Sequence, residues 1–191
     1  MNLPLKSNIS RHLVPFKSVM GQFARRTNLI IDEPETKFSV MASVKNDSKS
    51  NSEDNKKTQE DFEMNDVLGE GSYSTVFLAK EKATGKQYAI KVLDKRHIIK
   101  ERKVKYVTIE KDVLNMCDHP FIIKLFYTFQ DQNNLYFCLE LCPGDLLKAI
   151  KIGGFSIEAV QFYAAEMIEA VNYLHTMRIL HRDLKVFYKL T

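Results

Sequence analysis

The chain has 191 residues, with 28 Lys and Arg against 24 Asp and Glu, a formal charge of +4. Its 45% hydrophobic and 27% charged composition is that of an ordinary soluble domain with a tail. No apolar run approaches the ~20 residues of a bilayer span, and so small a positive excess implies no nucleic-acid partner.

The three cysteines, Cys117, Cys138 and Cys142, are odd in number and too sparse for a disulfide scaffold. They point to reduced thiols and a cytoplasmic location. Cys138 and Cys142 lack the further ligands of a tetrahedral zinc site, so no metal site is expected.

Residues 1–60 form a first region. Its opening 31 residues carry Lys6, Arg11, Lys17, Arg25 and Arg26 with no acid before Asp32, a composition shared by organellar transit peptides and by plain basic tails. From Lys45 to Glu60 the chain reads KNDSKSNSEDNKKTQE. Such a segment has too little apolar surface to offset the entropy of ordering. The expectation is a disordered tail and linker over 1–60 and a domain boundary near Glu60.

Residues 62–70, 73–80 and 86–93 alternate apolar and polar side chains. They are separated by Gly71-Ser72 and Ala83-Thr84-Gly85 and predict an antiparallel meander. A single charged helix is expected over 95–117, ended by Asp118-His119-Pro120. Strands over 121–130 and 134–141 follow, around the turn at Asp131-Gln132-Asn133. Five strands with one helix inserted after the third give an α+β fold, an antiparallel sheet covered on one face. A last helix over 156–177, capped by Ser156, carries a Val160/Tyr163/Met167/Val171/Leu174 stripe for which the following residues offer no partner.

Gly69-Glu70-Gly71-Ser72-Tyr73-Ser74 lies between two predicted strands, where bare backbone amides can approach phosphate oxygens. It is not a Walker loop, because a strand rather than a helix follows. Taken alone, such spacing is a weak signal, and a tight hairpin is its more common cause. Lys91 sits between Ile90 and Val92 on the third strand, and Glu110 falls nineteen residues later on the predicted helix. A strand lysine paired with a helix carboxylate is the nucleotide-phosphate anchor of protein kinases. His181-Arg182-Asp183-Leu184 then follows in the order that a kinase catalytic loop requires.

On these motifs residues 61–185 resemble AGC-group serine/threonine protein kinases, of the phosphoinositide-dependent kind. The resemblance runs through EDFEMNDVLGEGSYSTVFLAK, YAIKVLDKRHIIKERKVKYVTIEKDV and LYFCLELCPGDLLK. It implies a small lobe over 61–141, the start of a large lobe over 142–191, and ATP as the cofactor. It also implies transfer of the ATP γ-phosphate to Ser or Thr of protein substrates in intracellular signalling.

The resemblance further implies roles for single residues. Gly69, Gly71 and Ser72 would cover the phosphates, with Leu68, Val76 and Ala89 around the adenine. Lys91 would contact phosphate and Glu110 would orient it. Leu139 would be the gatekeeper, Glu140 and Cys142 would offer backbone to the adenine, and Asp145 would reach the ribose. Asp183 would be the catalytic base and Lys185 would steady the transferred phosphate. Partner kinases would dock a phosphorylated hydrophobic tail at Lys95, Ile99, Val107, Gln130 and Leu135, within a stretch, 91–111, carrying eight basic and three acidic residues.

The pattern H-R-D-L-x-x-x-N places Asn at 188, where Tyr188 stands, and no Asp-Phe-Gly follows before Thr191. The expectation is a chain truncated after HRDLK, without the family's Mg²⁺ ligands and inactive as written. The alternative is a non-catalytic small-lobe module that captures such tails.

Overall fold

The computed structural model describes residues 30–31, 57–142, 151, 153–182 and 184. The expected tail contains one short strand, β1 (Ile30–Ile31). A 3-10 turn at Gln59–Asp61 leads into β2 (Phe62–Glu70), β3 (Ser74–Glu81) and β4 (Gln87–Asp94). Helices α1 (Lys95–Lys100) and α2 (Val104–Met116) follow, then β5 (Leu125–Gln130) and β6 (Asn134–Leu139). After residues 143–150, which lie outside the described residues, come α3 (Ile157–Thr176) and β7 (Ile179–Leu180).

Five strands form one antiparallel sheet in the order β2-β3-β4-β6-β5. This is the architecture of a kinase small lobe. Between β3 and β4 the chain reverses at Gly85, whose φ of 72° suits a residue without a Cβ. The Gly85 N–H donates to the Glu81 carbonyl at 2.8 Å to close the turn.

Both faces of this sheet carry apolar clusters, and among the described residues the helices meet one of them, as expected. On one face Val76, Ala89, Leu93, Phe137 and Leu139 pack against Ile98 of α1 and Val107 and Leu114 of α2. The other face holds a separate cluster that includes Phe62, Tyr88, Ile90, Phe129 and Tyr136. There the Phe129 ring stacks on Phe62 and on Tyr136, with centroids 5.5 and 4.8 Å apart. Burial on this second face pushes the Cys138 thiol up to about 12, so it is inert at neutral pH.

The single helix expected over 95–117 is two helices. Asp94 caps α1 by accepting the His97 N–H at 2.7 Å. The helix ends where Arg102 takes a left-handed φ of 54°. Lys103 N–H then donates to the Ile98 carbonyl and Arg102 N–H to that of Ile99, the paired bonds of a Schellman ending. An arginine rather than a glycine holds that position, so no residue type announced the break.

The strand expected over 121–130 also starts later, at Leu125. The 118–122 turn is stabilised locally, with the Phe121 N–H on His119 Nδ1 at 3.2 Å and the Ile122 N–H on the His119 carbonyl. The turn sends Ile122 and Ile123 into different apolar clusters.

Helix α3 begins where expected, with the Ser156 hydroxyl accepting the Ala159 N–H at 3.3 Å. Of its apolar stripe, Tyr163 and Leu174 are covered, against the expectation, while Val160 is left open. Tyr163, Ala170 and Leu174 are buried against Val113 of α2, Ile122 and Ile179, with Met167 at the edge. The side left open is the one carrying Ile157, Val160 and Ile168. The Tyr173 hydroxyl also accepts the Asp118 N–H at 3.0 Å, fastening α3 to the loop after α2.

β7 pairs with β1, Ile30 opposite Leu180 and Ile31 opposite Ile179. The polar linker between β1 and the sheet gives no hint of this pairing in its composition.

The turn between β5 and β6 carries a pH-dependent contact. The Tyr136 hydroxyl donates to Asp131 at 2.6 Å, and the Asn134 and Asn133 N–H groups add two more bonds, so the carboxyl falls from 3.8 to about 2. A depressed folded pKa contributes stability above the unfolded value, and that stability is lost as pH falls toward the folded one. Circular dichroism during acid titration should therefore show a component of unfolding between about pH 4 and 2 that Asp131→Asn lacks. Identical acid curves would count against it.

Candidate nucleotide site

The register of the sheet gathers the expected site residues on the face that meets α2. Val76, Lys91 and Phe137 are directly opposite one another across β3, β4 and β6, and Ala89 lies opposite Leu139. Opposed residues project to the same side of a sheet. A lysine is therefore placed in an otherwise apolar wall formed by Val76, Ala89 and Leu139, each under 9% exposed.

Burial of an ammonium demands a partner. Glu110, halfway along α2, supplies it: Lys91 Nζ lies 2.6 Å from Glu110 Oε1, with the two side chains 1% and 2% exposed. The structure thus brings together two residues nineteen positions apart whose spacing had suggested a pair.

β2 and β3 end above this wall in the hairpin of Gly69, Gly71 and Ser72. The Gly71 N–H donates to the Ser74 carbonyl at 2.7 Å, closing the turn. Leu68 is exposed at the lip. At the far end of β6, the Glu140 N–H donates to the Lys124 carbonyl at 2.9 Å and ties the segment after the strand to β5. The Glu140 carbonyl lies 4.0 Å from Cys142 Sγ, and Cys142 is half-buried at the edge of the apolar wall.

Together these groups make an apolar slot with backbone polarity at one end and a buried cation under a glycine hairpin at the other. Such a slot suits a flat heterocycle carrying phosphates. Asp145, Asp183 and Lys185 lie outside the described residues, as does Tyr188. His181, two positions before Asp183 in the sequence, is 5% exposed. Among the described residues no group of three or more His, Cys, Asp or Glu is placed to hold a metal ion.

Between α2 and strands β5 and β6 lies a cavity of about 290 Å³, lined by Val107, Gln130 and Leu135 together with Lys111, Thr128 and Phe137. Three of the five residues expected for docking line it. Lys95 and Ile99 do not: Lys95 Nζ donates to the Asp131 carbonyl, and Ile99 is two-thirds exposed on α1. Lys111, Thr128 and Phe137 were missed from the sequence. The alternation of β5 and the helical step from Val107 to Lys111 were the available signals. Tyr73, within the glycine hairpin, is half-buried against the apolar cluster of this face.

Residues 62–187 match the protein kinase domain family. Over 132 residues, 68% of this chain, the sequence is 57% identical to 3-phosphoinositide-dependent protein kinase 1 of Homo sapiens, covering 24% of that protein. It is 53% identical over 146 residues, 75% of the chain, to serine/threonine-protein kinase ksg1 of Schizosaccharomyces pombe, covering 25% of it. It is 55% identical over 132 residues, 68% of the chain, to 3-phosphoinositide-dependent protein kinase B of Dictyostelium discoideum, covering 14% of it. The chain spans a third or less of the length of the curated relatives it matches.

Proposed function

The chain belongs to the protein kinase family, and from that premise we propose that it binds ATP in the slot under the glycine hairpin, as part of a serine/threonine kinase of the phosphoinositide-dependent type. The observation that carries the reading is the Lys91–Glu110 pair, 2.6 Å long and sealed within an apolar wall. A buried ion pair gives little net stability, because desolvation offsets most of the attraction. A pair set beneath a phosphate-sized hairpin has a use in binding.

Residues 61–141 act as the small lobe and 142–191 as the beginning of the large one, with 1–60 as tail and linker. ATP, when bound, supplies the phosphoryl group that is transferred. Val76, Ala89 and Leu139 would enclose its adenine, and backbone groups of Glu140 and Cys142 would orient the ring. Gly69, Gly71 and Ser72 would present N–H groups to the phosphates, while Glu110 holds the Lys91 ammonium toward them. Asp183 would take the proton of the substrate hydroxyl, Lys185 would steady charge on the moving phosphate, and Asp145 would meet the ribose. Tyr188 stands where the family's loop carries a metal-holding Asn, so this chain is inactive as written. Protein substrates and a cytoplasmic location follow the same reading. Among the described residues no helix is long and apolar enough to cross a membrane.

Alkylation of Cys142 tests the site. ATP should protect this half-exposed thiol, and Ala89→Trp, which fills the slot, should abolish the protection. Labelling of Cys142 at the same rate with and without ATP would remove the slot from consideration.

The cavity on α2 favours a second role for the same lobe, the capture of a partner's phosphorylated hydrophobic tail. Phe137, Val107 and Leu135 offer an apolar floor, while Lys111, Thr128 and Gln130 offer donors to a phosphate. A phosphopeptide with an aromatic anchor should bind the parent chain and lose affinity on Leu135→Glu, with ATP binding unaffected.

A further inference from the structure

Helices α1 and α2 meet at a corner whose surface the fold itself does not require. From Lys95 to Tyr106 the chain reads KRHIIKERKVKY, six Lys and Arg against Glu101 alone. That local charge of +5 exceeds the +4 of the whole chain, so the remainder nets −1 and the corner is not one part of a generally basic protein. Arg96, Lys100, Arg102 and Lys105 are all exposed. Among the described residues no carboxylate pairs with Arg96, Lys100 or Arg102.

A run of charge is ordinarily a solvated helix face, and such a face has no use for aliphatic groups. Here two stand among the cations: Ile99 is 66% exposed and Val104 52%. They flank the break between the helices, where the Arg102 N–H donates to the Ile99 carbonyl at 3.1 Å. Ile98, 2% exposed, already fixes α1 against the sheet, so its neighbour Ile99 is not needed for packing. Neither Ile99 nor Val104 lines the cavity between α2 and the sheet.

We propose that this corner docks on an anionic lipid surface, with Ile99 and Val104 entering the headgroup layer while Arg96, Lys100, Arg102 and Lys105 meet lipid phosphates and carboxylates. Cations held near such a surface are attracted within a screening length. Their aliphatic stems can lie along the apolar layer with the charged heads in water. Exposed apolar groups add burial that only a bilayer provides. An acidic protein or other soluble polyanion would use the charges and leave Ile99 and Val104 idle. The inference is independent of the ATP-site reading.

Co-sedimentation of the full 191-residue protein with vesicles tests it. Phosphatidylcholine vesicles containing phosphatidylserine should bind the parent about tenfold more strongly than phosphatidylcholine alone, and added salt should weaken the binding. Arg96→Glu/Lys100→Glu should lose about tenfold on the anionic vesicles. Ile99→Ser/Val104→Ser, which keeps every charge, should lose about fivefold. All four positions are exposed, so circular dichroism of both variants should match the parent. The chain contains no tryptophan, and the single indole of Ile99→Trp should shift to the blue on anionic vesicles. Equal binding of the parent to both vesicle types would overturn the proposal. Full binding by Arg96→Glu/Lys100→Glu would also overturn it, placing the contact on the basic residues of the tail. So would full binding by Ile99→Ser/Val104→Ser with an unshifted indole, which would make the corner a site for soluble polyanions.

Discussion

Lys91→Ala is expected to lower stability by about 3–5 kcal/mol and to remove ATP binding in the same step. The substitution leaves the Glu110 carboxylate 2% exposed with no cation beside it, and stripping one partner from a buried pair costs about that much. A domain's whole stability is about 5–15 kcal/mol, so the urea midpoint should drop visibly. The double variant Lys91→Met/Glu110→Leu separates the two effects. Replacing both charges by apolar groups of similar volume is often neutral or better for folding, so its midpoint should return toward the parent's. ATP binding should stay lost, because the cation is gone. If Lys91→Ala unfolds at the parent's urea concentration, the pair is not as buried as the structure has it. If the double variant binds ATP normally, Lys91 has no part in the site.

Helix α3 supplies the second large effect, and it reverses what its sequence alone suggested. Leu174 is 4% exposed, against Val113, Ile122 and Ile179. Leu174→Ala should therefore cost about 2–5 kcal/mol through lost burial and the cavity left behind. Ile168, on the same helix but 69% exposed, should tolerate Lys within about 0.5 kcal/mol. Urea denaturation of both variants decides the matter. A larger loss from Ile168→Lys than from Leu174→Ala would mean that α3 is rotated relative to the described structure. The same comparison bears on association. An open face carrying Ile157, Val160 and Ile168 promotes contact between copies, and Ile168→Lys should lower the sedimentation-measured fraction of oligomer.

The sheet was legible in the sequence because strand signals are local. Alternation around Ile90 marked which side chains share a face, and Gly85 marked the reversal between β3 and β4, whereas two register shifts in β2 break the alternation along 62–70. The order of the glycine hairpin, Lys91 and Glu110 was equally plain, since a lone cation among Ile90, Val92 and Leu93 has few reasons to exist. Residue type and spacing were enough to nominate the pair.

Other features depended on contacts between distant segments. Arg102 breaks α1 from α2 through backbone bonds to Ile98 and Ile99, and an arginine carries no signal of a left-handed turn. The stripe on α3 shows that the helix is amphipathic but not which of two adjoining apolar strips is covered. That was decided by Val113, Ile122 and Ile179 arriving from three other elements. The pairing of Ile30–Ile31 with Ile179–Leu180 joins positions about 150 residues apart, and backbone pairing of that range leaves no mark in composition.

The sequence by itself determined the family and the order of its motifs along the chain, and it nominated the residues proposed to hold phosphate, because each signal depends on near neighbours. Only the tertiary structure decided that Lys91 and Glu110 are sealed and that Tyr73 is folded inward against the wall of their slot. Exposure is a property of everything packed around a group, and no stretch of sequence contains its own surroundings.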